Sequence, residues 1–410
     1  MKQETDTELG YCLDLSRLLS RVGRGQFTGV DRVELAYLRH LLGTDIPLFG
    51  LVKFGPFFFL VERSGMNALL ALIEGQHSWG SPVLAARLLF GGRKLHQQIF
   101  SDLGRLSVKM TGKSRLQAML GSILPAGVEY LNVGHSNISA RVMQAVRNVN
   151  DSKISVMIHD AIPLDYPAYQ RVGTPERFEQ KLEIAGKFAD RVIFNSHASK
   201  HAVDRHFQRL GFAPRSVVAH LGVTVPAPEP VSAHQMPDLK GPYFVSVGTI
   251  EPRKNHAMLL DIWDRFAKED PVPTLVIAGA RGWRNESVFA RLDNQPRGVV
   301  ELNNLSDREL AGLVARSTAL LFPSVAEGFG LPAGEAALLN VPVVCSDIDV
   351  FKEFLGDYPV YADSGDMYQW ETIIKEMAYR NVGRHDDRGE FGKPISIPTW
   401  NDHFNLVLKR

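Results

Sequence analysis

Strand-length apolar runs alternate with helix-spaced segments along almost the whole chain, and a single proline-rich stretch interrupts the rhythm. In the first half, residues 11–19 (YCLDLSRLL) read as a strand. Residues 30–42 carry helical spacing at Val33, Leu35, Leu38 and Leu41 or Leu42. Residues 45–62 read as strands and 66–128 as mostly helix. The short runs 128–133, 154–158 and 191–194 are β-rich, with a helical stretch at 174–189 between the last two. Residues 225–241 (VPAPEPVSAHQMPDLKG) hold four prolines and little periodicity, as a linker would. The rhythm then restarts, with strands at 243–248, 274–279, 319–324 and 342–346 and helices at 256–268, 306–317 and 333–339. Such alternation predicts two α/β domains with parallel sheets. The cut falls at about 225, giving a first domain over 1–225 and a linker plus second domain over 226–396. A short amphipathic helix over about 397–410 closes the chain.

Bulk properties exclude several classes. The 410 residues carry a formal net charge of +1, without the basic excess of a general nucleic-acid binder. Only Cys12 and Cys345 occur, far apart and without metal-ligand spacing, so neither a disulfide framework nor a zinc site is expected. The polar, acidic start MKQETDTELG is unlike a secretory signal. No run of 18 apolar residues predicts a membrane span. The expectation is a cytoplasmic protein.

The chemistry is written most clearly in residues 319–347, ALLFPSVAEGFGLPAGEAALLNVPVVCSD. A strand ends near Ser324, a glycine-containing loop follows, and Pro332 sits where proline suits the first helical turn. The free N–H groups of that turn make an anion site. Gly328 and Gly330 let backbone approach a ligand closely. Glu327 and Glu335 flank the site, and ionised carboxylates accept hydrogen bonds from hydroxyls rather than bind phosphate. A phosphate between two polyols describes a nucleotide sugar. Taken alone, the two glutamates equally fit a solvated loop residue and a helix-start carboxylate. A second signal is VSVGTIEPRKNH (245–256). There Arg253 and Lys254 follow a strand that ends at Gly248, placed to neutralise a diphosphate or to form an exposed basic turn.

Together these segments resemble the retaining glycosyltransferases of family 4, group 1, which have the GT-B architecture. The resemblance rests on the E-x7-E motif (Glu327, Glu335) and the G-x4-R-K motif (Gly248, Arg253, Lys254). It extends over TLVIAGARGWRNE (274–286) and LNNLSDREL (302–310). It implies two Rossmann-like parallel-sheet domains facing a central cleft. It also implies transfer of a hexose-type sugar from a GDP-mannose or UDP-sugar type donor to a hydroxyl of a glycan or lipid-linked acceptor. Retention follows from the same resemblance, in polysaccharide or cell-surface glycan biosynthesis. The catalytic set is then Arg253, Lys254, Glu327 and His159. The donor set adds Gly29, Gly248, Arg281, Asn304, Leu305, Gly328, Phe329, Gly330, Leu331 and Glu335. The donor is a co-substrate, no other cofactor is implied, and no metal is required. The DID at 347–349 follows a strand and is expected to be structural. The C-terminal helix is expected to pack back on the first domain.

The first half is less specific. VGRGQFTGVDRVE (22–34) places Gly23, Gly25 and Gly29 ahead of a helix, with spacing unlike G-x-G-x-x-G, and Arg32 in its first turn. VMIHDAIPLDYP (156–167) puts His159 and Asp160 at a strand end, and Asn195 and Ser196 follow the next strand, lining a site or capping a helix. His159, Asp160, Asn195 and Arg32 are expected on the acceptor side. Residues 81–125 hold seven Lys or Arg (Arg87, Arg93, Lys94, Arg105, Lys109, Lys113, Arg115) against Asp102 alone. That stretch suits either a solvated face or peripheral contact with an anionic membrane at its inner face. Two rival readings remain. One is another GT-B enzyme, such as a nucleotide-sugar epimerase. The other is a non-catalytic sugar-nucleotide-binding protein, against which the intact Glu327, Glu335, Arg253 and Lys254 weigh.

Overall fold

The computed structural model describes residues 10–25, 27–232, 241–380 and 395–409. Contacts divide the chain into two compact units. Unit 1 comprises 1–158, 179–194 and 204–217, and unit 2 comprises 159–178, 195–203 and 218–410.

Unit 1 is built on an eight-stranded sheet of order β4-β3-β2-β1-β5-β6-β7-β8. Its strands are β1 (Tyr11–Asp14), β2 (Leu48–Phe54), β3 (Phe57–Glu62), β4 (Ser107–Gly112), β5 (Glu129–Asn132), β6 (Lys153–Ile158), β7 (Arg191–Phe194) and β8 (Ser216–Val218). The run β2-β1-β5-β6-β7 is parallel, but β3 pairs antiparallel with both β2 and β4, so the sheet is mixed rather than wholly parallel. A tight turn at Gly55, with φ +59, folds β3 back on β2. β4 lies inside the stretch expected to be mostly helix. Its partner β3, not its own periodicity, fixes it as a strand.

The strand expected over 11–19 ends at Asp14, and a helix starts at Ser16 (Ser16–Arg21). The Asp14 carboxylate accepts from Ser16 N at 3.0 Å, a local turn that competes with strand continuation. The helix Gly29–Leu42 opens on a capping box between Thr28 and Asp31. Asp31, fully buried, also binds Arg17 (2.7 Å) and Arg21 (3.2 Å), which closes the glycine-containing loop from both sides.

Unit 2 holds a six-stranded parallel sheet of order β11-β10-β9-β12-β13-β14. The strands are β9 (Tyr243–Val247), β10 (Thr274–Ala278), β11 (Val299–Leu302), β12 (Ala319–Phe322), β13 (Val343–Ser346) and β14 (Val360–Ala362). β9, β12 and β13 are buried along their whole length, as both-face coverage by helices requires. Trp263, Phe244, Phe266, Trp370 and Ile374 form the core on one face. The helix Asp307–Ala315 starts at Ser306, whose capping box with Glu309 matches the expected start. The chain over 241–380 thus repeats the order of a doubly wound nucleotide-binding sheet.

Residues 225–232 of the proline-rich stretch are irregular, and 233–240 lie outside the described residues. The closing helix is Trp400–Val407. The His403 ring, fully buried, puts Nδ1 3.1 Å from Ala219 O and 3.0 Å from His220 O, and Val223 N donates to Pro398 O at 3.0 Å. The helix therefore packs on residues 219–223. Among the described residues no helix is long and apolar enough to cross a membrane.

Candidate functional site

β9 and β12 are neighbours, and the strand order reverses between them. Connections leaving two such strands go to opposite faces, which opens a crevice at their carboxyl ends. The two strongest sequence motifs leave those two ends.

After β9, Gly248 adopts φ +137, and a Cβ there would sit 3.1 Å from Lys254 Cε. A short 3-10 turn, Pro252–Lys254, follows and ends at Asn255 in the left-handed region. Val325 N donates to Arg253 O at 2.9 Å and ties this turn to the loop after β12. That loop ends at Gly330, whose φ of +92 caps the helix Leu331–Leu338. A Cβ on Gly330 would lie 2.4 Å from Phe351. Backbone conformation and space therefore both require glycine. Phe329 is buried and stacks on Phe354 with centroids 4.4 Å apart, which leaves its backbone as its polar presentation.

Charged side chains converge here. Lys254 Nζ lies 2.6 Å from Glu327 Oε1 and 4.2 Å over the Phe322 ring. Arg253 Nη1 lies 2.8 Å from the same oxygen and donates to Ala326 O at 2.5 Å. Its Nη2 and Nε both donate to Glu251 Oε1, at 2.6 and 3.1 Å. Burial pushes the Glu327 carboxyl up, but the Arg253 and Lys254 charges outweigh it and hold the group at about 2. Burial, with Arg253 adding to it and Glu327 opposing, pushes the Lys254 ammonium below its ordinary value. Two cations thus share the Glu327 carboxylate while Glu251 holds Arg253 from the other side, a charge-balanced, largely buried cluster at a strand end.

The segment after β6 belongs to the same unit and adds Asp160. Its Oδ1 accepts from Ile162 N at 3.0 Å. Burial raises its carboxyl to about 6, with Arg253 opposing and Glu327 and Glu251 adding. Gly328 fits beside it only without a side chain, because a Cβ would come within 2.8 Å of His159 O and 3.1 Å of Asp160 Oδ2. Ser199 Oγ stands 2.9 Å from the carbonyls of both His159 and Gly328. His159 and Asn195 are themselves buried. Ser196 Oγ accepts from Ser199 N at 3.0 Å and so caps the next helix.

Of the expected donor residues, Gly248, Arg253, Lys254, Glu327, Gly328, Phe329, Gly330, Leu331 and Glu335 lie on these two segments. Arg281 is exposed and held bidentately by Glu301 (2.9 and 2.7 Å), with Asp293 at 2.8 Å. Asn304 is exposed with φ +59, and Leu305 beside it is buried. Gly29 and Arg32 open the Gly29–Leu42 helix in unit 1. Glu251 was not singled out from sequence. The signal was present, since an acid two residues ahead of Arg253 in a single turn is placed to pair with it.

Residues 232–378 match the family described as Glycosyl transferases group 1. The serotype-specific mannosyltransferase WbdA of Escherichia coli is 35% identical over 273 residues, covering 62% of this chain and 33% of that protein. The O-antigen chain mannosyltransferase RfbU of Salmonella typhimurium is 32% identical over 139 residues, covering 33% of this chain and 38% of that protein. The chain spans about a third of the length of these curated relatives. Among solved structures, Anabaena HepE in complex with UDP-glucose superposes with a TM-score of 0.59 at 16% identity, over 91% of this chain and 90% of that one. Sucrose-phosphate synthase from Thermosynechococcus elongatus gives 0.58 at 15% identity, over 90% and 89%. These likenesses bear on the fold. The solved structures show the GT-B fold, and residues 232–378, which carry the paired motifs at one switch point, match the glycosyl transferases group 1 family.

Proposed function

We propose that the chain is a retaining mannosyltransferase. It would move mannose from a nucleotide-diphosphate donor, GDP-mannose in the first instance, to a hydroxyl of a glycan or lipid-linked acceptor in surface polysaccharide synthesis. The observation that carries the reading is the largely buried Arg253–Lys254–Glu327 cluster at the β9/β12 switch point. Both relatives quoted above bear mannosyltransferase names, which favours mannose over other hexoses.

Arg253 and Lys254 hold the diphosphate and stabilise the charge that develops as the bond from the anomeric carbon to the β-phosphate oxygen breaks. The first N–H groups of the Leu331–Leu338 helix, led by Leu331, add to this field. The acceptor oxygen bonds the anomeric carbon on the face the phosphate leaves, and the acceptor proton passes to the departing phosphate. Glu327 exchanges its two cations for donor-sugar hydroxyls when the diphosphate takes those cations. Glu335 meets the ribose, and Asn304 and Leu305 lie by the base. His159, Asp160, Asn195 and Arg32 serve the acceptor side. No metal is needed in this scheme.

The test is a panel of nucleotide sugars scored by thermal shift, then by nucleotide release with and without glycan acceptors. A donor binding well below the concentration used raises the melting temperature by mass action. Stabilisation by GDP-mannose, with GDP release only when an acceptor is present, is the expected result. Release without acceptor, or interconversion of the donor, points to an epimerase or hydrolase and removes the proposal.

A further inference from the structure

Six of the eleven large hydrophobic side chains left exposed among the described residues fall between positions 83 and 110: Val83, Leu84, Leu88, Leu89, Val108 and Met110. Scattered single exposures need no explanation, but a cluster does. The helix Leu84–Phe90 is oriented against the usual rule for a surface helix. Ala86 is fully buried, and Phe90 packs on Phe54 and Phe100 at 5.6 and 5.4 Å between centroids. Leu84 and Leu88, one turn apart, are 72% and 79% exposed, so the outward face of the helix is apolar.

The edge strand β4 continues the pattern. Met110 pairs with Phe59, and Phe59 meets Phe100 of the helix Lys94–Leu106 edge-on at 5.4 Å. Directly paired residues share a sheet face, so Met110 projects on the side that carries this helix. Phe100 also holds Phe90, and the exposed leucines and Met110 thus belong to one side of unit 1.

Within residues 81–125 the exposed charges have one sign. Arg87, Arg93, Lys94, Lys109, Lys113 and Arg115 are all exposed. The sole acid between 81 and 125, Asp102, is buried and bound to Arg105 at 2.6 Å, so it does not offset them. We propose that the Leu84–Phe90 helix and the exposed edge of β4 form a docking surface for an anionic lipid bilayer. Leu84, Leu88 and Leu89 would insert at the headgroup boundary, with Arg87, Arg93 and Lys94 on the lipid phosphates. An apolar face rimmed by cations fits a layer that is apolar beneath and anionic above. The basic stretch expected from sequence thereby narrows to the part that carries exposed leucines. The inference is independent of which sugar is transferred.

The experiment uses the full chain and sucrose-loaded vesicles, either of phosphatidylcholine alone or of equal parts phosphatidylcholine and phosphatidylglycerol. Sedimentation is measured at low and near-physiological salt. The wild type is expected to pellet with the anionic vesicles, less so as salt shortens the screening length from roughly 30 Å to 8 Å. The double variants Leu84→Glu/Leu88→Glu and Arg87→Glu/Lys94→Glu should each lower the partition coefficient at least tenfold. Because these side chains are exposed, both should keep the wild-type melting temperature and donor-induced stabilisation. A wild type that stays in the supernatant, or a leucine variant that pellets like the wild type, overturns the proposal. So does a wild-type dimer that Leu88→Glu converts to monomer, which would make the face a contact between copies of this chain.

Discussion

Lys254 Nζ and Glu327 Oε1 lie 2.6 Å apart, joining the carboxyl ends of two neighbouring strands whose connections run to opposite faces of the sheet. Lys254 is buried and the Glu327 side chain only 9% exposed, and Arg253 shares the carboxylate at 2.8 Å. Glu251 balances Arg253 from the other side, so a diphosphate reaches these cations by taking the place of Glu327 on them.

Lys254→Ala removes one of the two groups placed on the leaving diphosphate. Turnover should fall at least about tenfold, and up to the ~10²–10³-fold typical of one lost transition-state donor. Glu335→Ala should likewise cost at least about tenfold. Steady-state kinetics checks both, and unchanged rates in the two variants would remove the site assignment.

Glu251→Gln tests the positioning of Arg253. Both Nε and Nη2 of the guanidinium rest on one Glu251 oxygen, and Glu251 is itself buried. The amide keeps the shape and one acceptor but loses the charge. Turnover should drop several-fold with near-normal donor affinity, whereas Glu251→Ala should weaken both. A melting curve identical to wild type in the glutamine variant, alongside lower kcat, separates positioning from a merely structural role.

Asp160→Asn tests the carboxyl that burial raises to about 6 from an ordinary 3.8. A carboxyl whose folded value lies above its unfolded value favours folding while protonated. That advantage is lost as pH rises from about 4 through about 6, at a cost on the order of 3 kcal/mol. The variant should therefore gain stability over wild type at pH 7, with the difference shrinking as pH is lowered to 4. Denaturant midpoints at the two pH values decide it. A constant difference would show that Asp160 is not held protonated by its surroundings.

Gly330→Ala should destabilise by about 1–3 kcal/mol, because the new methyl meets Phe351 and the φ of +92 disfavours any side chain. A truncated neighbour, Phe351→Leu, should recover only the steric part. Chemical denaturation of the two single variants and the double measures the coupling.

Much of this was legible in the chain itself. Pro332 and the glycines around Phe329 announce a helix N-terminus behind a loop, and Gly248 to Lys254 announce a cationic turn after a strand, because proline, glycine and short apolar runs act locally. The alternation of periods was enough for two α/β domains, and the serine-capped helix starting after Ser306 needs nothing beyond four consecutive residues. Local rules misled where distant partners decide. β4 is a strand because β3 offers it a hydrogen-bonding edge, and Ser16 opens a helix because Asp14 ends the strand before it.

By itself, then, the sequence determined the rhythm of the fold, the two motifs and the kind of ligand their residues suit, since these follow from backbone preference and side-chain chemistry at short range. Only the tertiary structure decided that both motifs end on adjacent strands. It also set Glu327 against Lys254 and Arg253, brought Glu251 and Asp160 to the same cluster, and turned the leucines of residues 84–89 outward. Those facts depend on strand order and packing between residues tens to hundreds of positions apart. Burial and Coulomb energies are set by what surrounds a group in space, and sequence separation carries no information about that.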